Sequence, residues 1–548
     1  MTDAAREVAT SEVSTGVPLS QRATWFLLLL PLSWFLWTGA RGIDYGEHWD
    51  EAFQVRLVQR SIAEETLLPG WYNYPSVSYW LALSALSPEV LATDYSEIGI
   101  RGPLGVGEQI KGLAPIKEEL TAATRDPGFL LRMRTVFLWT SALVILGVFC
   151  AARRRSGPWE SLFAAGLVAT SWELAYHARW VAPDAILAAL VALFLAALLR
   201  AHEGKTSLVW LGVLAGLAMG TKYTAGLLLL PLLLLWWRTA PERQPRRLLG
   251  ALAACVGSFL VVTPGALLQP FRFGRDVAFE HFHYSEAGHY GFGVDAGLEH
   301  LTLMLRWIGT DLGSPYAPWA LLVTFLALIG AVSSWRRDRL EAALVLLVPV
   351  AWVLFFATQK VLFVRNLLPL APFLALLAAR GVSFLSQSLP DRARALPAAL
   401  SVCILIVNGA WLHEASESIL ARKTSSQDLP AELLGWLESE LGDRTVFLSE
   451  PLARELHTKL GGSLPEGCVV STDTPTDLAA FRPAEVALNA FPGDPTGTLQ
   501  SNLPGCLVAS FGPQEVNWEW YTTWREPRIV VIKRSFLEPL QKKQPSDH

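Results

Sequence analysis

Residues 183–200 read PDAILAALVALFLAALLR, with no charged side chain between Asp184 and Arg200. At about 1.5 Å per helical residue, such a run nearly matches the ~30 Å hydrocarbon core of a bilayer. It predicts a membrane-spanning helix, and similar runs recur along the chain. Further spans are predicted at 23–40, 133–151, 159–176, 207–221, 223–237, 247–264, 317–335, 341–357, 361–379 and 396–411. Together they make about eleven transmembrane helices. Composition agrees: of 548 residues 52% are hydrophobic and only 17% charged, where a soluble domain carries about a quarter. The 22 Trp residues suit a side chain that gathers at membrane–water interfaces. A net charge of −4 without a Lys/Arg-rich block excludes a nucleic-acid surface. The chain reads as a polytopic α-helical membrane protein.

The short connections fix an orientation. Arg153, Arg154 and Arg155, then Arg200 and Lys205, then Arg238, Arg243, Arg246 and Arg247 fall on alternate turns. Arg336, Arg337 and Arg339 follow, and after them Arg380, Arg392 and Arg394. All lie on one face if the tail 1–22 is cytoplasmic, as expected of a protein in the plasma (inner) membrane. Thr38, Gly39 and Ala40 resemble a signal-cleavage site, but the run before them is long and is read as an uncleaved first helix. An odd span count places the C-terminus outside. The transmembrane domain, 23–411, then carries outer loops at 41–131 and 265–316, and 412–548 forms an extracytoplasmic domain. Helical spacing over Leu429–Leu441 and strand-like runs at Thr445–Leu448, Cys468–Ser471 and Arg528–Lys533 predict a small α/β fold there. Cys468 and Cys506 both lie in it, either paired or as two thiols; without a CxxC pair, cysteine-bound zinc is not expected.

Ionisable groups crowd the outer side. The first outer loop opens with Asp44-Tyr45-Gly46-Glu47-His48-Trp49-Asp50-Glu51-Ala52-Phe53, followed by an amphipathic helix over Ala52–Ile62. An acidic pair at a helix start is ordinarily a cap that complements the dipole. Here it stands among aromatics on a loop too long for a plain connector. Trp71–Trp80, with Tyr74 and Tyr79, would alone be an interface belt. His177, Arg179 and Asp184 share one outer connection, Lys222 with Tyr223 interrupts an apolar stretch, and Arg365 sits near a span's outer end. Such groups cost about 2.5–3.5 kcal/mol at a span's centre. Lys222 and Arg365 either snorkel or line an outward cavity that holds an anion. Three His, His281, His283 and His289, lie with Glu280 and Glu286 in the second outer loop. They offer zinc or manganese ligands without the spacing of a defined metal motif, and the loop is expected to close over the cavity. Asn517–Trp524 is an aromatic cluster suited to packing on the interface rather than to stacking on sugars.

The order of these features resembles a known superfamily. After Asp50-Glu51 and an aromatic/proline segment of the "PPLxYW" kind come RMRTVFLWTSALVILGVF, HARWVAPDAILAALVALFLAAL, LAGLAMGTKYTAGLLLLPLL and RNLLPLAPFLALLAAR. Over about 23–380 the succession resembles the GT-C membrane glycosyltransferases, of the protein O-mannosyltransferase and aminoarabinose-transferase type. The resemblance implies a polyprenyl-phosphate sugar donor and a glycan, lipid or protein acceptor on the outer face. It implies Asp50 as catalytic base with Glu51 beside it, Asp184 as a second acid, and Lys222, Arg365 and Arg179 toward the donor phosphate. Tyr74, Tyr79, His177, Tyr223, His283 and His289 would contact substrate. No cofactor is required by this reading, a divalent metal at His281, His283 and His289 being the alternative. One departure stands out: the family often has Lys-Pro-Pro where this chain has Asn73-Tyr74-Pro75. A carboxylate base and cations on the leaving phosphate suit inverting transfer. A transporter or flippase of a lipid-linked solute is the competing reading, with a non-catalytic scaffold of the same fold as a third.

Overall fold

The computed structural model describes residues 20–46, 48–92, 113–239, 244–288, 292–426 and 429–440, together with short segments at 444–448, 452–453, 456, 466, 468–470, 478–481, 507–511 and 529–533. The expected cluster at Asn517–Trp524, His289 and the partner cysteine Cys506 lie outside the described residues. The chain forms two compact units. The larger comprises Met1–Ile43, Trp49–Phe282 and Asp295–Ala415, and the smaller Asp44–His48, His283–Val294 and Ser416–His548.

Most of the larger unit's described residues are helical. Its principal helices are α1 (Gln21–Ala40), α2 (Trp49–Ala63), α3 (Val77–Ser84), α4 (Gly128–Ala152), α5 (Pro158–Ala169), α6 (Trp172–Ala178), α7 (Pro183–His202) and α8 (Leu208–Met219). They continue with α9 (Tyr223–Arg238), α10 (Pro245–Val262), α11 (Pro270–Phe282), α12 (Ala317–Arg337), α13 (Arg339–Ala357), α14 (Val364–Ser388) and α15 (Asp391–Ala421). Eight of these, α1, α4, α7, α10 and α12–α15, are long and apolar enough to cross a membrane. The protein is multi-pass.

Each stretch expected to span is mostly helical, but Leu208–Met219 and Tyr223–Arg238 are shorter apolar helices outside the eight, and 159–176 is not one helix. It breaks at Thr170, whose hydroxyl bonds back to the Gly166 carbonyl at 2.9 Å, and restarts as α6. A Thr that satisfies its hydroxyl on the preceding turn loosens the helix locally. The expected helix over Ala52–Ile62 begins earlier, at Trp49, so Asp50 and Glu51 occupy its first turn.

Helices α7 and α14 form the centre: 72% and 94% of their apolar windows are buried, against 11% in α10 at the periphery. Apolar burial drives little association in lipid, so close packing matters more. Helices α12 and α14 touch backbone to backbone, since a Cβ on Gly330 would lie 1.9 Å from the Leu377 carbonyl oxygen. Nearer the site, Leu57 and Val58 of α2, Tyr79 and Ala82 of α3, Met133 and Phe137 of α4, and Ile186 of α7 share one buried cluster. That cluster fixes where Asp50 stands relative to Asp184.

In the smaller unit, helix α16 (Leu429–Glu440) accompanies strands β1 (Val446–Leu448), β2 (Cys468–Val469), β3 (Leu478–Phe481), β4 (Leu507–Phe511) and β5 (Ile529–Lys533). The sheet order is β2-β1-β3-β5-β4. Strand β1 runs parallel to β2 and β3, whereas β5 pairs antiparallel with β3 and β4. Leu433 and Leu437 of the helix pack on Val446, Leu448, Ala480 and Val531.

Candidate active site

Three breaks in helical backbone bring charge together in the larger unit. Asp184 lies in the first turn of α7, where the helix dipole favours a carboxylate. Lys222 occupies the extended residue between α8 and the 3-10 turn that opens α9. Arg365 lies in the 3-10 turn, Val364–Leu370, that opens α14. Irregular backbone at membrane depth is tolerated where it lines a cavity or is buried in protein. These breaks present their side chains to one another.

The resulting network is continuous. Lys222 Nζ donates to Asp184 Oδ1 at 2.8 Å and to Asn366 Oδ1 at 2.7 Å. Arg365 NH1 donates to Asp50 Oδ2 at 2.8 Å, and its Nε lies 3.7 Å from Asp184 Oδ2. Asn366 is held from behind, its carbonyl accepting from Trp352 Nε1 at 2.9 Å. The side chains of Lys222, Asp184 and Arg365 are 7%, 2% and 5% exposed, whereas that of Asp50 is 15% exposed. Asp50 is therefore the most exposed of these four side chains.

Glu51, although adjacent, faces elsewhere. Its carboxylate accepts from Arg134 Nε at 2.8 Å and NH2 at 2.5 Å, and from the Val181 amide at 3.2 Å. Arg134 also donates to the Ile43 carbonyl and lies over the Trp180 ring. This fully buried pair joins α2 to α4 and to the approach of α7, and so sets the rotation of α2 that aims Asp50. Arg179 donates to the carbonyls of Arg41 and Thr38 at the end of α1. His177 sits 3.0 Å from Glu173 within α6. Tyr79 is 1% exposed in the apolar cluster. Tyr74 packs edge-on to Trp71, and Tyr223 donates to the Tyr72 carbonyl at 2.6 Å. His283 belongs to the smaller unit, where its ring meets Tyr284.

Asp276, not singled out in the sequence, and Glu280, read there as a possible metal ligand, join the site. Asp276 and Glu280, one turn apart on α11, share a face that meets the segment between α2 and α3. Asp276 Oδ2 accepts from the Tyr72 amide at 2.9 Å, and Glu280 Oε2 from Asn73 Nδ2 at 3.4 Å. Glu280 experiences the charges of Lys222, Asp50 and Arg365. Desolvation pushes its carboxyl up to about 7, opposed by Lys222 and the Asn73 hydrogen bond and helped by Asp50. The opposite side of α11 leaves Phe271, Phe279 and Phe282 exposed, so the 3.6-residue period was a visible signal for a two-faced helix.

Among the described residues, the group able to bring three ligand atoms to one ion is His202, Asp338 and Glu341, all within 4.8 Å. It stands at the opposite end of α7 from Asp184. Arg155 bonds Glu341 at 2.7 Å, Arg380 pairs with the same carboxylate, and His202 meets Asp338 at 2.9 Å. The two arginines already supply the countercharge that a cation would bring.

Residues 130–267 match the family described as dolichyl-phosphate-mannose-protein mannosyltransferase. No curated protein matches the chain. Among solved structures, the chain is similar to ArnT from Cupriavidus metallidurans in the apo state, with TM-score 0.53 and 15% identity over 94% of this chain and 98% of that one. This is the GT-C fold. By its family match within that fold the chain is a membrane glycosyltransferase. ArnT bound to undecaprenyl phosphate aligns with TM-score 0.48 and 15% identity, covering 92% and 97% of the two chains. The apo Archaeoglobus fulgidus oligosaccharyltransferase aligns with TM-score 0.44 and 12% identity, covering 83% and 61%. In GT-C terms the matched stretch, 130–267, contains Arg134, Asp184 and Lys222, whereas Asp50, Glu280 and Arg365 lie outside it.

Proposed function

We propose that this protein transfers a sugar from a polyprenyl-phosphate donor to a hydroxyl acceptor at the outer face of the membrane, with Asp50 as base and inversion at the anomeric carbon. The observation that carries the reading is the buried Asp50–Arg365–Asp184–Lys222 network. ArnT, whose apo fold this chain shares, has also been solved with undecaprenyl phosphate. The arginine clusters on alternate connections favour a cytoplasmic N-terminus, with Asp50 on the outer side.

The chemistry follows from the pairing. Asp50 takes the acceptor hydroxyl's proton as its oxygen bonds to the anomeric carbon. The bond from that carbon to the phosphate oxygen breaks, and the electron pair leaves with the polyprenyl phosphate. A phosphate monoester's second pKa is near 6, so the leaving group needs little protonation. Lys222 and Arg365 face the growing charge, the kind of fixed electrostatic support that acts most strongly away from water. In the resting site Arg365 occupies Asp50. A donor phosphate that draws Arg365 toward itself frees that carboxylate to accept a proton. Asp184 keeps Lys222 in place throughout, and Glu51, Arg134 and Arg179 hold the surrounding backbone.

The direct test is release of radiolabelled sugar from polyprenyl-phosphate sugars by purified protein in lipid. Absence of release from every donor, with the protein folded, would overturn the reading in favour of a transporter. Lys222→Met should weaken binding of polyprenyl phosphate by about 30-fold or more, as expected for a loss of at least about 2 kcal/mol from a buried charged contact. Titration calorimetry in nanodiscs would measure it. Unchanged affinity would remove Lys222 from the phosphate site.

Glu280 adds a pH dependence with a definite sign. Below about pH 7 its carboxyl is protonated, and above that it adds a negative charge facing Lys222 and Arg365. Glu280→Gln should bind polyprenyl phosphate like the wild type at pH 5.5 and several-fold more tightly at pH 8. Comparing the two proteins at each pH cancels the ligand's own titration. A wild-type to variant ratio that does not change with pH would contradict the assignment.

A further inference from the structure

We propose that Glu280 and Asn73 form the wall of this site that reads the transferred sugar, the Glu280 carboxylate accepting hydrogen bonds from its hydroxyls while the donor phosphate lies on the opposite, Lys222–Arg365 side. The inference rests on the donor reading given above and adds which way round the donor lies and which residues choose the sugar.

The charges fix the polarity of the site. Two cations, Lys222 and Arg365, already face two carboxylates, Asp184 and Asp50, at hydrogen-bonding distance. Glu280 is a third carboxylate in the same field. A phosphate placed against it would meet like charge, so the anion belongs beside the cations and the uncharged part of the donor beside Glu280. Asn73 strengthens the contrast. Its amide can donate and accept but carries no charge, and it already donates to Glu280. Where Glu280 meets Asn73, the pair itself contributes no positive charge.

Glu280 also retains capacity to bind. Among the described residues its hydrogen bond is the 3.4 Å contact from Asn73, and an ionised carboxylate has about four acceptor positions. Hydrogen bonds from hydroxyls to a carboxylate are charge-assisted and therefore strong. A site built around such bonds discriminates sharply, because an epimer that cannot supply the donor leaves a desolvated acceptor unmet. The wall is firmly mounted. Tyr72, beside Asn73, is tied to α11 through Asp276 and to Gln269, the residue before that helix, whose Oε1 accepts from the Tyr72 hydroxyl at 2.8 Å. Ser76 accepts support from the other side, its amide donating to Thr263 at 3.3 Å.

The test compares two classes of probe on full-length protein in nanodiscs. One is bare short-chain polyprenyl phosphate; the other is the same lipid phosphate carrying mannose, glucose, galactose or arabinose. In the wild type at least one sugar-bearing probe should bind more tightly than the others. Glu280→Ala should weaken that probe by 10-fold or more and compress the spread among sugars, while bare phosphate changes less than threefold or tightens. Glu280→Gln keeps the side chain's size and carries the test if the Ala variant does not fold; relative to bare phosphate it should weaken the preferred sugar-bearing probe at least threefold. Asn73→Ala should act in the same direction. Equal weakening of bare and sugar-bearing probes, or an unaltered spread among sugars, would overturn the sugar-reading role while leaving the phosphate site intact. Failure of the wild type to bind any probe would instead overturn the donor reading, and this inference with it.

Discussion

Asp50→Asn is expected to lower the turnover number for sugar transfer by about a thousandfold, within the 10²–10⁴ range that general-base catalysis contributes. Donor affinity should change far less. The substitution preserves size and keeps an oxygen that Arg365 NH1 can reach from its present 2.8 Å. What it removes is the proton acceptor. The effect should therefore fall on kcat, with the KM for the donor altered by no more than a few fold. Single-turnover transfer from a labelled polyprenyl-phosphate sugar separates binding from chemistry. If Asp50→Asn retained full turnover, the base would have to be sought elsewhere, and Glu280 would be the first carboxyl to examine. If the loss lay wholly in donor binding, Asp50 would serve to hold Arg365 rather than to accept a proton.

The second large effect is structural. Arg134→Met leaves the Glu51 carboxylate, 3% exposed, without its bidentate partner. Removing one member of a buried ion pair typically costs about 3–5 kcal/mol, because the remaining charge is neither solvated nor paired. Arg134→Met should therefore lower the apparent unfolding temperature sharply in a fluorescence-detected thermal scan. The double variant Arg134→Met/Glu51→Leu should recover much of that loss, since replacing both charges removes the uncompensated one. It should not recover all of it, as the Val181 amide then loses its acceptor, an unmet buried group worth about 1–3 kcal/mol. Activity should recover less than stability. The clamp from Arg134 to Glu51 and Ile43 fixes the rotation of α2, and Asp50 precedes Glu51 on the same turn. Equal stability of Arg134→Met and wild type would show that the pair carries no structural weight.

Much of this protein was legible in its sequence because the bilayer imposes constraints that act one segment at a time. A run such as 183–200 must be helical in lipid, where no water satisfies its backbone, whatever its neighbours do. Asp50, Asp184, Lys222 and Arg365 were likewise visible singly, because a charge in or beside an apolar run is rare and requires an explanation. Their pairing was not visible: residues 50, 184, 222 and 365 meet only through packing of α2, α7, α8 and α14, and the distances between them depend on helix breaks whose angles no periodicity encodes. The contrast between Asp50 and Glu51 makes the point most sharply. In sequence the two are adjacent acids at one helix start, yet about 100° of rotation per residue turns one to Arg365 and the other to Arg134. Glu280 was visible only as an acid among the loop histidines, a possible metal ligand, until α11 set it against Asn73 and within the field of Lys222. Composition and hydropathy determine that the chain crosses a membrane many times, since transfer to lipid is a property of each segment alone. Which charges face one another, and hence what the site can do, is decided by the tertiary structure, because Coulomb interactions and hydrogen bonds depend on distances in space rather than along the chain.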